Sequence, residues 1–201
     1  MKFLLFSDLH CHQSACQNIV DLAHQADILI GAGDLGHLRH GLDKTISYLQ
    51  QITTPTILVP GNNESFEELQ DAGQAWPAAT VIHGSHTTLL GHTFFGLGGG
   101  IPRTPFGSWS YDFDENEAQA MLDTCPPNAI IISHSPPKGV VDVASSGQNL
   151  GSTTLRQYIL DHQPPLVVCG HIHESGGQTG YLGDTPVVNA GSQGILWPFT
   201  S

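Results

Sequence analysis

Positive charge is scarce in this chain. Its 201 residues hold 6 Lys+Arg against 18 Asp+Glu, a formal net charge of −12. Phosphate backbones reward Lys and Arg, so this balance argues against broad electrostatic binding of nucleic acid. A small anion is still admissible if bound cations invert the local sign. Charged residues make up 12% of the chain and hydrophobic ones 39%. That excludes a disordered polyelectrolyte and fits one globular domain over residues 1–201 with a substantial core. The four cysteines, Cys11, Cys16, Cys125 and Cys169, include no C-x-x-C pair. A thiolate zinc site, a redox motif and a disulfide framework are therefore not expected. The N-terminal apolar run meets Asp8 too early to be a secretion signal. No stretch approaches the roughly 18 apolar residues that span a bilayer. The expectation is a cytoplasmic protein with no membrane association.

What the chain has is histidine, 12 in all, with 23 Gly and 13 Pro. It also has a rhythm of short apolar segments. Residues 2–7, 28–32 and 56–59 read as buried strands, and 17–25, 42–50 and 65–72 carry helical spacing. This strand–loop–helix repeat predicts an α/β protein with parallel strands. Short β segments follow at 81–83, 88–90 and 93–97, the last two forming a hairpin around Gly91-His92. Residues 98–114 are too long and too rich in Gly and Pro for a plain connection. Helices at 115–122 and 153–161, strands at 129–133 and 166–169, and β segments at 178–182, 186–189 and 195–197 complete the pattern.

Five apolar strands each end in a polar cluster: Asp8-Leu9-His10, Gly33-Asp34, Gly61-Asn62-Asn63-Glu64, Ser133-His134-Ser135 and Gly170-His171-Ile172-His173. Each alone is an ordinary turn sequence. Five in order, each closing a buried strand, point to one site, because ligands of open α/β sheets bind beyond the carboxyl ends of strands. Carboxylate, imidazole and amide oxygen together suit divalent Mn, Fe, Zn or Co. Seven donors exceed one tetrahedral zinc and match two ions that share a bridging carboxylate.

From Asp8 to about Ser192 the chain resembles the calcineurin-like metallophosphoesterase superfamily. The resemblance rests on those five ordered blocks. It also rests on Val188-Asn189-Ala190-Gly191-Ser192, which is similar to the Asn-Pro-Gly-Ser turn of small bacterial and archaeal members. It implies two packed mixed β-sheets flanked by helices in a four-layer sandwich, and a dinuclear metal-dependent phosphoester hydrolase. It further implies that Asp8, His10 and His173 hold one metal, that Asn62, His134 and His171 hold the other, and that Asp34 bridges them. The nucleophile implied is a hydroxide bridging the two metals.

The chain departs from the family at the catalytic histidine of Gly-Asn-His, which is Asn63 here. An amide has no proton to give at neutral pH. The acid that pairs with that histidine in relatives is His37 here, a candidate replacement proton donor. Relatives without the histidine tend towards phosphodiesters, so a small phosphodiester is the favoured substrate. A phosphomonoesterase for activated or nucleotide substrates and a non-catalytic metal-binding scaffold are the competing readings. Arg39, Arg103 and Trp109 are the candidate substrate contacts. The aromatic residues of the long loop either stack on a flat substrate group or pack against the domain or the second subunit of a homodimer. The remaining histidines, among them His12, His40 and His83, read as surface or packing residues.

Overall fold

Phe3 and Leu5 face one way along strand β1 (Lys2–Phe6), Leu4 and Phe6 face the other, and all four are fully buried. A strand buried on both faces needs a layer on each side. The computed structural model, which describes residues 1–200, supplies both. Phe3 and Leu5 join Ile30, Ile57, Phe94, Ile132 and Val168 in a core between two sheets. Leu4 and Phe6 join Ile19, Ile46, Leu69 and Trp76 in a second core under three helices. These helices are α1 (Gln13–Ala23), α2 (Leu42–Leu49) and α3 (Phe66–Gly73).

The first sheet runs β11-β1-β2-β3-β4. Strands β2 (Ile28–Gly31), β3 (Thr56–Leu58) and β4 (Ala79–Val81) continue parallel to β1. Strand β11 (Ile195–Pro198) closes the other edge antiparallel, with Lys2 opposite Pro198. The second sheet runs β5-β6-β7-β8-β10-β9. Its strands are β5 (Ser85–Leu89), β6 (His92–Leu97), β7 (Ile130–Ser133), β8 (Val167–Cys169), β9 (Thr179–Leu182) and β10 (Thr185–Asn189). Helices α4 (Glu115–Leu122) and α5 (Thr153–His162) cover its outer face over Leu97, Ile131 and Val187. This is the α/β/β/α sandwich expected from the resemblance. Among the described residues no helix is long and apolar enough to cross a membrane.

Three local expectations need correction. Helix α1 starts at Gln13, earlier than the apolar spacing shows, because its first turn buries only the small side chains Ala15 and Cys16. The segment expected at 81–83 lies at Ala79–Val81 and pairs with β3, so it belongs to the first sheet and not beside the hairpin. The hairpin turn is Leu90-Gly91, both at positive φ (49° and 83°). That is the geometry a tight two-residue turn demands.

The two long loops are pinned and do not trail. In residues 98–114, Asp112 accepts from Thr104 N–H at 2.8 Å and from Ser110 Oγ at 2.8 Å. In residues 134–152, fully buried Asp142 accepts from Gly139 and Gly151 N–H at 3.0 and 2.9 Å.

Candidate metal centre

The strand ends are stitched together by backbone hydrogen bonds. Asp8 N–H donates to Gly33 O at 2.9 Å, His10 N–H to Asp34 O at 3.0 Å, and Gly170 N–H to His134 O at 3.0 Å. The stitching forces close approach. A Cβ on Gly170 would sit 2.6 Å from an Asp8 carboxylate oxygen, and one on Gly61 would collide with the Asp34 carboxylate. Four candidate ligands occupy left-handed backbone: Asp8 (φ 55°), His10 (φ 42°), Asp34 (φ 57°) and His171 (φ 68°). Each such residue costs roughly 1–3 kcal/mol, a strain tolerated where the side chain must point one way.

The side chains fall into two groups, Asp8 with His10 and His173, and Asp34 with His134 and His171. Within each, the ligand atoms lie within 4.8 Å of one another. Asp34 spans them: Oδ2 is 3.6 Å from His10 Nε2 and Oδ1 is 3.5 Å from His134 Nε2. Asn62 Oδ1 is 3.2 Å from His134 Nε2, and its Nδ2 donates to Ser110 Oγ at 3.0 Å. The amide therefore presents its oxygen inward.

The imidazole tautomers are set from outside. His10 Nδ1 meets Gly36 O at 3.1 Å and His134 Nδ1 meets Ala32 O at 2.8 Å. A carbonyl only accepts, so each Nδ1 carries a proton, and the neutral ring then turns its Nε2 lone pair inward. His10 Nε2 lies 3.0 Å from His173 Nε2. Lone pairs and carboxylate oxygens crowded at this range repel one another, and divalent cations are the complement they fit. In the absence of a cation the imidazoles pair with the carboxylates: a hydrogen bond to Asp8 raises His173, and against burial Asp34 and Asp8 raise His134. Burial works to raise Asp8, but His173, His134 and Ser7 hold its carboxyl at about 2. Burial and the neighbouring imidazoles push His171 down to about 3. Burial pushes Asp34 above the usual carboxylate range, the mark of a negative charge that lacks a countercharge.

Residues that the motif reading undervalued hold this set in place. Glu64, fully enclosed, accepts from Gly61, Leu35 and Gly36 N–H at 2.9, 3.2 and 2.9 Å and braces two ligand loops. Ser110, itself held by Asp112, orients Asn62 from 48 positions away. Asn63 is used on three sides. Its N–H and Nδ2 donate to the two Asp34 oxygens at 2.8 and 2.6 Å, and its Oδ1 accepts from Leu38 N–H at 2.7 Å. The Leu38-Arg39 turn that it holds is left-handed at both residues (φ 49° and 66°).

The expected substrate contacts divide. Arg39 is not turned to the centre: Nε and Nη2 bind Glu68 at 2.8 Å each, and Nη1 donates to Trp109 O at 3.3 Å. Arg103 is bound to Glu117 at 2.6 Å and to Asp112 O at 3.2 Å. Both glutamates are the third helical residue of a capping box, Ser65 with Glu68 on α3 and Asp114 with Glu117 on α4. Both boxes have the sequence form S/D-x-x-E. Both arginines are thus loop-to-helix tethers. His37 and Trp109 do reach the centre. They line a cavity of about 510 Å³ together with Asp34, Asn62, His171 and His173. A second cavity of about 400 Å³, lined by Gly177, Gly191 and Ser192, opens on the other side of Asp8, His10 and His173.

Known proteins agree with this architecture. The model of the calcineurin-like phosphoesterase family matches residues 1–175. No curated protein matches the chain significantly in sequence. Among solved structures, the protein TT1561 of Thermus thermophilus superposes with a TM-score of 0.77 at 21% identity, over 96% of this chain and 90% of that one. A dimetal phosphatase from Danio rerio gives 0.62 at 12% identity, over 94% and 86%. The phosphopantetheinyl hydrolase of Mycobacterium tuberculosis gives 0.58 at 13% identity, over 94% and 88%. At such identities the likeness concerns the fold. With the family match over most of its length and two donor groups at the ends of its strands, the chain belongs to the calcineurin-like phosphoesterases and is a metal-dependent phosphoesterase.

Proposed function

We propose that the protein hydrolyses small phosphodiesters. In this reading Asp8, His10 and His173 hold one divalent cation, Asn62, His134 and His171 hold a second, and Asp34 bridges them. The observation that carries this reading is Asp34, whose two carboxylate oxygens face His10 and His134 separately. Bound cations would neutralise phosphoryl oxygens and acidify water. The rest belongs to the chain. Gly36 and Ala32 hold His10 and His134 in the ligating tautomer, Ser110 aims the Asn62 oxygen, and Asn63 opposes the upward push of burial on Asp34 by donating twice to it.

Two features favour diesters. With every polar atom of Asn63 engaged, no proton donor stands where the family carries its histidine, which weakens catalysis for poor leaving groups. The cavities on either side of His10 and His173 give both ester arms room. His37 is the nearest candidate to serve the leaving oxygen, its ring centroid 5.5 Å from that of His10. His37→Gln then lowers turnover about tenfold or more on poor leaving groups and little on p-nitrophenolate. An equal effect on both overturns that role.

The test of the whole reading is hydrolysis of bis-p-nitrophenyl phosphate and p-nitrophenyl phosphate, with Mn supplied and with EDTA. The expected result is Mn-dependent cleavage, faster on the diester. Faster cleavage of the monoester overturns the diester preference. Cleavage of neither by metal-loaded protein leaves a scaffold and overturns the function.

A further inference from the structure

The larger cavity is lopsided. Its floor is the ligand set, and its upper wall is apolar: Leu38, Phe106, Trp109, Leu150 and Ile172. Phe106 and Trp109 stack with centroids 5.6 Å apart and planes within 12°. Leu38, Phe106 and Leu150 are respectively 45%, 51% and 45% exposed. Solvated apolar groups collected from three separate loops around one polar floor mark a binding surface, since scattered exposed side chains would not line one chamber.

Two pieces of this wall are held to residues of the metal centre. Leu38 sits on the strained turn that Asn63 fixes. Trp109 O accepts from Arg39, and Tyr111 N–H donates to Asn62 O at 3.0 Å, so the aromatic tip is anchored on both sides. Leu150, which lines the rim, is fixed within the second long loop by its N–H donating to Asp142 O at 3.2 Å. The Leu38 and Trp109 side of the wall is therefore built at a set distance from the candidate ligands.

Equally informative is what faces the chamber with charge. Among the described residues neither cavity is lined by a lysine or arginine. Apart from the candidate ligands and the imidazoles of His12 and His37, the one ionisable group at the larger cavity is the carboxylate of Glu174. The two arginines nearest in sequence are bound to Glu68 and Glu117. A substrate with a second phosphate, or a carboxylate beyond the scissile group, would meet no lysine or arginine and one like charge. An uncharged hydrophobic arm would meet a stacked aromatic pair and three aliphatic side chains.

We infer that the substrate is a phosphoester with a single phosphoryl group and an uncharged, hydrophobic, flat arm, which lies against Phe106 and Trp109 while the phosphoryl group sits on the ligand floor. This rests on the phosphoesterase reading above and narrows it: nucleoside polyphosphates and sugar bisphosphates are excluded. A flat arm on oxygen also makes an aryl-type leaving group, which departs without the proton that Asn63 cannot give.

The experiment compares inhibition of bis-p-nitrophenyl phosphate hydrolysis by phenylphosphonate and methylphosphonate, which share the anion and differ only in the arm, with ADP as the polyphosphate. Mn-loaded wild-type enzyme is expected to bind phenylphosphonate about tenfold more tightly than methylphosphonate, with ADP weaker than phenylphosphonate. Phe106→Ala and Trp109→Ala bring the phenyl-to-methyl ratio towards one, with each variant first checked for a wild-type melting transition. Because the wild-type ratio alone decides, a variant that fails to fold leaves the test intact. Equal binding of the two phosphonates, or tighter binding of ADP, overturns the hydrophobic-arm inference while the hydrolysis itself upholds the phosphoesterase reading. Absence of hydrolysis overturns both.

Discussion

The two donor groups meet at Asp34, which lies 3.6 Å from His10 and 3.5 Å from His134, but live in different environments. The His134 side chain is 0% exposed and the Asp34 side chain 3%, whereas His173 is 59% exposed and His10 12%. One group is walled in by the long loop through Ser110 and Asn62. The other is open to solvent along Glu174 and the smaller cavity. Burial strengthens every interaction among the ligands and removes water as a competitor. Exposure does the reverse. The difference predicts a division of labour: the buried group would hold an ion more tightly, and the open group would exchange its ion more readily with solvent.

Replacing the shared residue should erase the contrast. Asp34→Asn removes charge from both groups and leaves Asn63 donating to a neutral partner. Turnover of bis-p-nitrophenyl phosphate is expected to fall on the order of 10³-fold or more. Metal content by mass spectrometry should drop at both groups. His173→Asn, confined to the open group, should cost on the order of 10–100-fold and leave about one ion bound. Equal metal losses in the two variants would break the comparison.

Chelation probes it without mutation. Titration of Mn-loaded protein with a moderate chelator should release metal in two steps, the open group first. Activity should vanish with the first step while the melting temperature falls mainly with the second, because only the buried group ties four strand ends together. A single step in which activity and melting change together would show the two groups to be equivalent.

Acid should weaken the buried side selectively. The loop that holds Asn62 rests its Tyr111 and Phe113 rings on His83, at centroid distances of 5.7 and 5.0 Å. His83 Nδ1 accepts from Gly98 N–H at 3.0 Å. Burial pushes His83 down from 6.5 to about 4, with Glu67 opposing. The folded state thus rejects a proton that the unfolded chain takes below pH 6.5. Stability is complete above that value and is lost as pH falls from 6.5 towards 4, by at most about 3 kcal/mol. Melting temperatures between pH 7.5 and 4.5 should fall less for His83→Gln than for wild type, and parallel curves would refute this.

Much of the centre was legible because its ligands are local: Asp8-x-His10, His171-x-His173 and the lone Asp34 and His134 each follow an apolar strand, and strand direction alone aims them at one edge. The four layers could also be drawn from the resemblance. What stayed hidden was pairing across distance. Arg39 finds Glu68 over 29 positions and Ser110 finds Asn62 over 48, and neither choice leaves a periodic trace. Asn63 read as a lost proton donor, and the structure shows why an amide suits the place: one side donates to Asp34 and the other accepts from Leu38. Histidine has no geometry that does both with a carboxylate and a backbone N–H while keeping a proton for substrate.

The smallest expected effect tests the support of the buried group alone. Ser110 takes the Asn62 Nδ2 proton and hands its own to Asp112 at 2.8 Å, so Asn62 can present only oxygen inward. Ser110→Ala leaves the amide free to rotate and exposes no new charge. Metal affinity at the buried group should weaken about tenfold, the size typical of a lost outer partner, with the open group unaffected. Fold stability should fall by about 1 kcal/mol, one net hydrogen bond. Competition with a fluorescent chelator resolves the two affinities. A tenfold loss at the open group, or at neither, would show that Ser110 anchors the loop without setting the ligand.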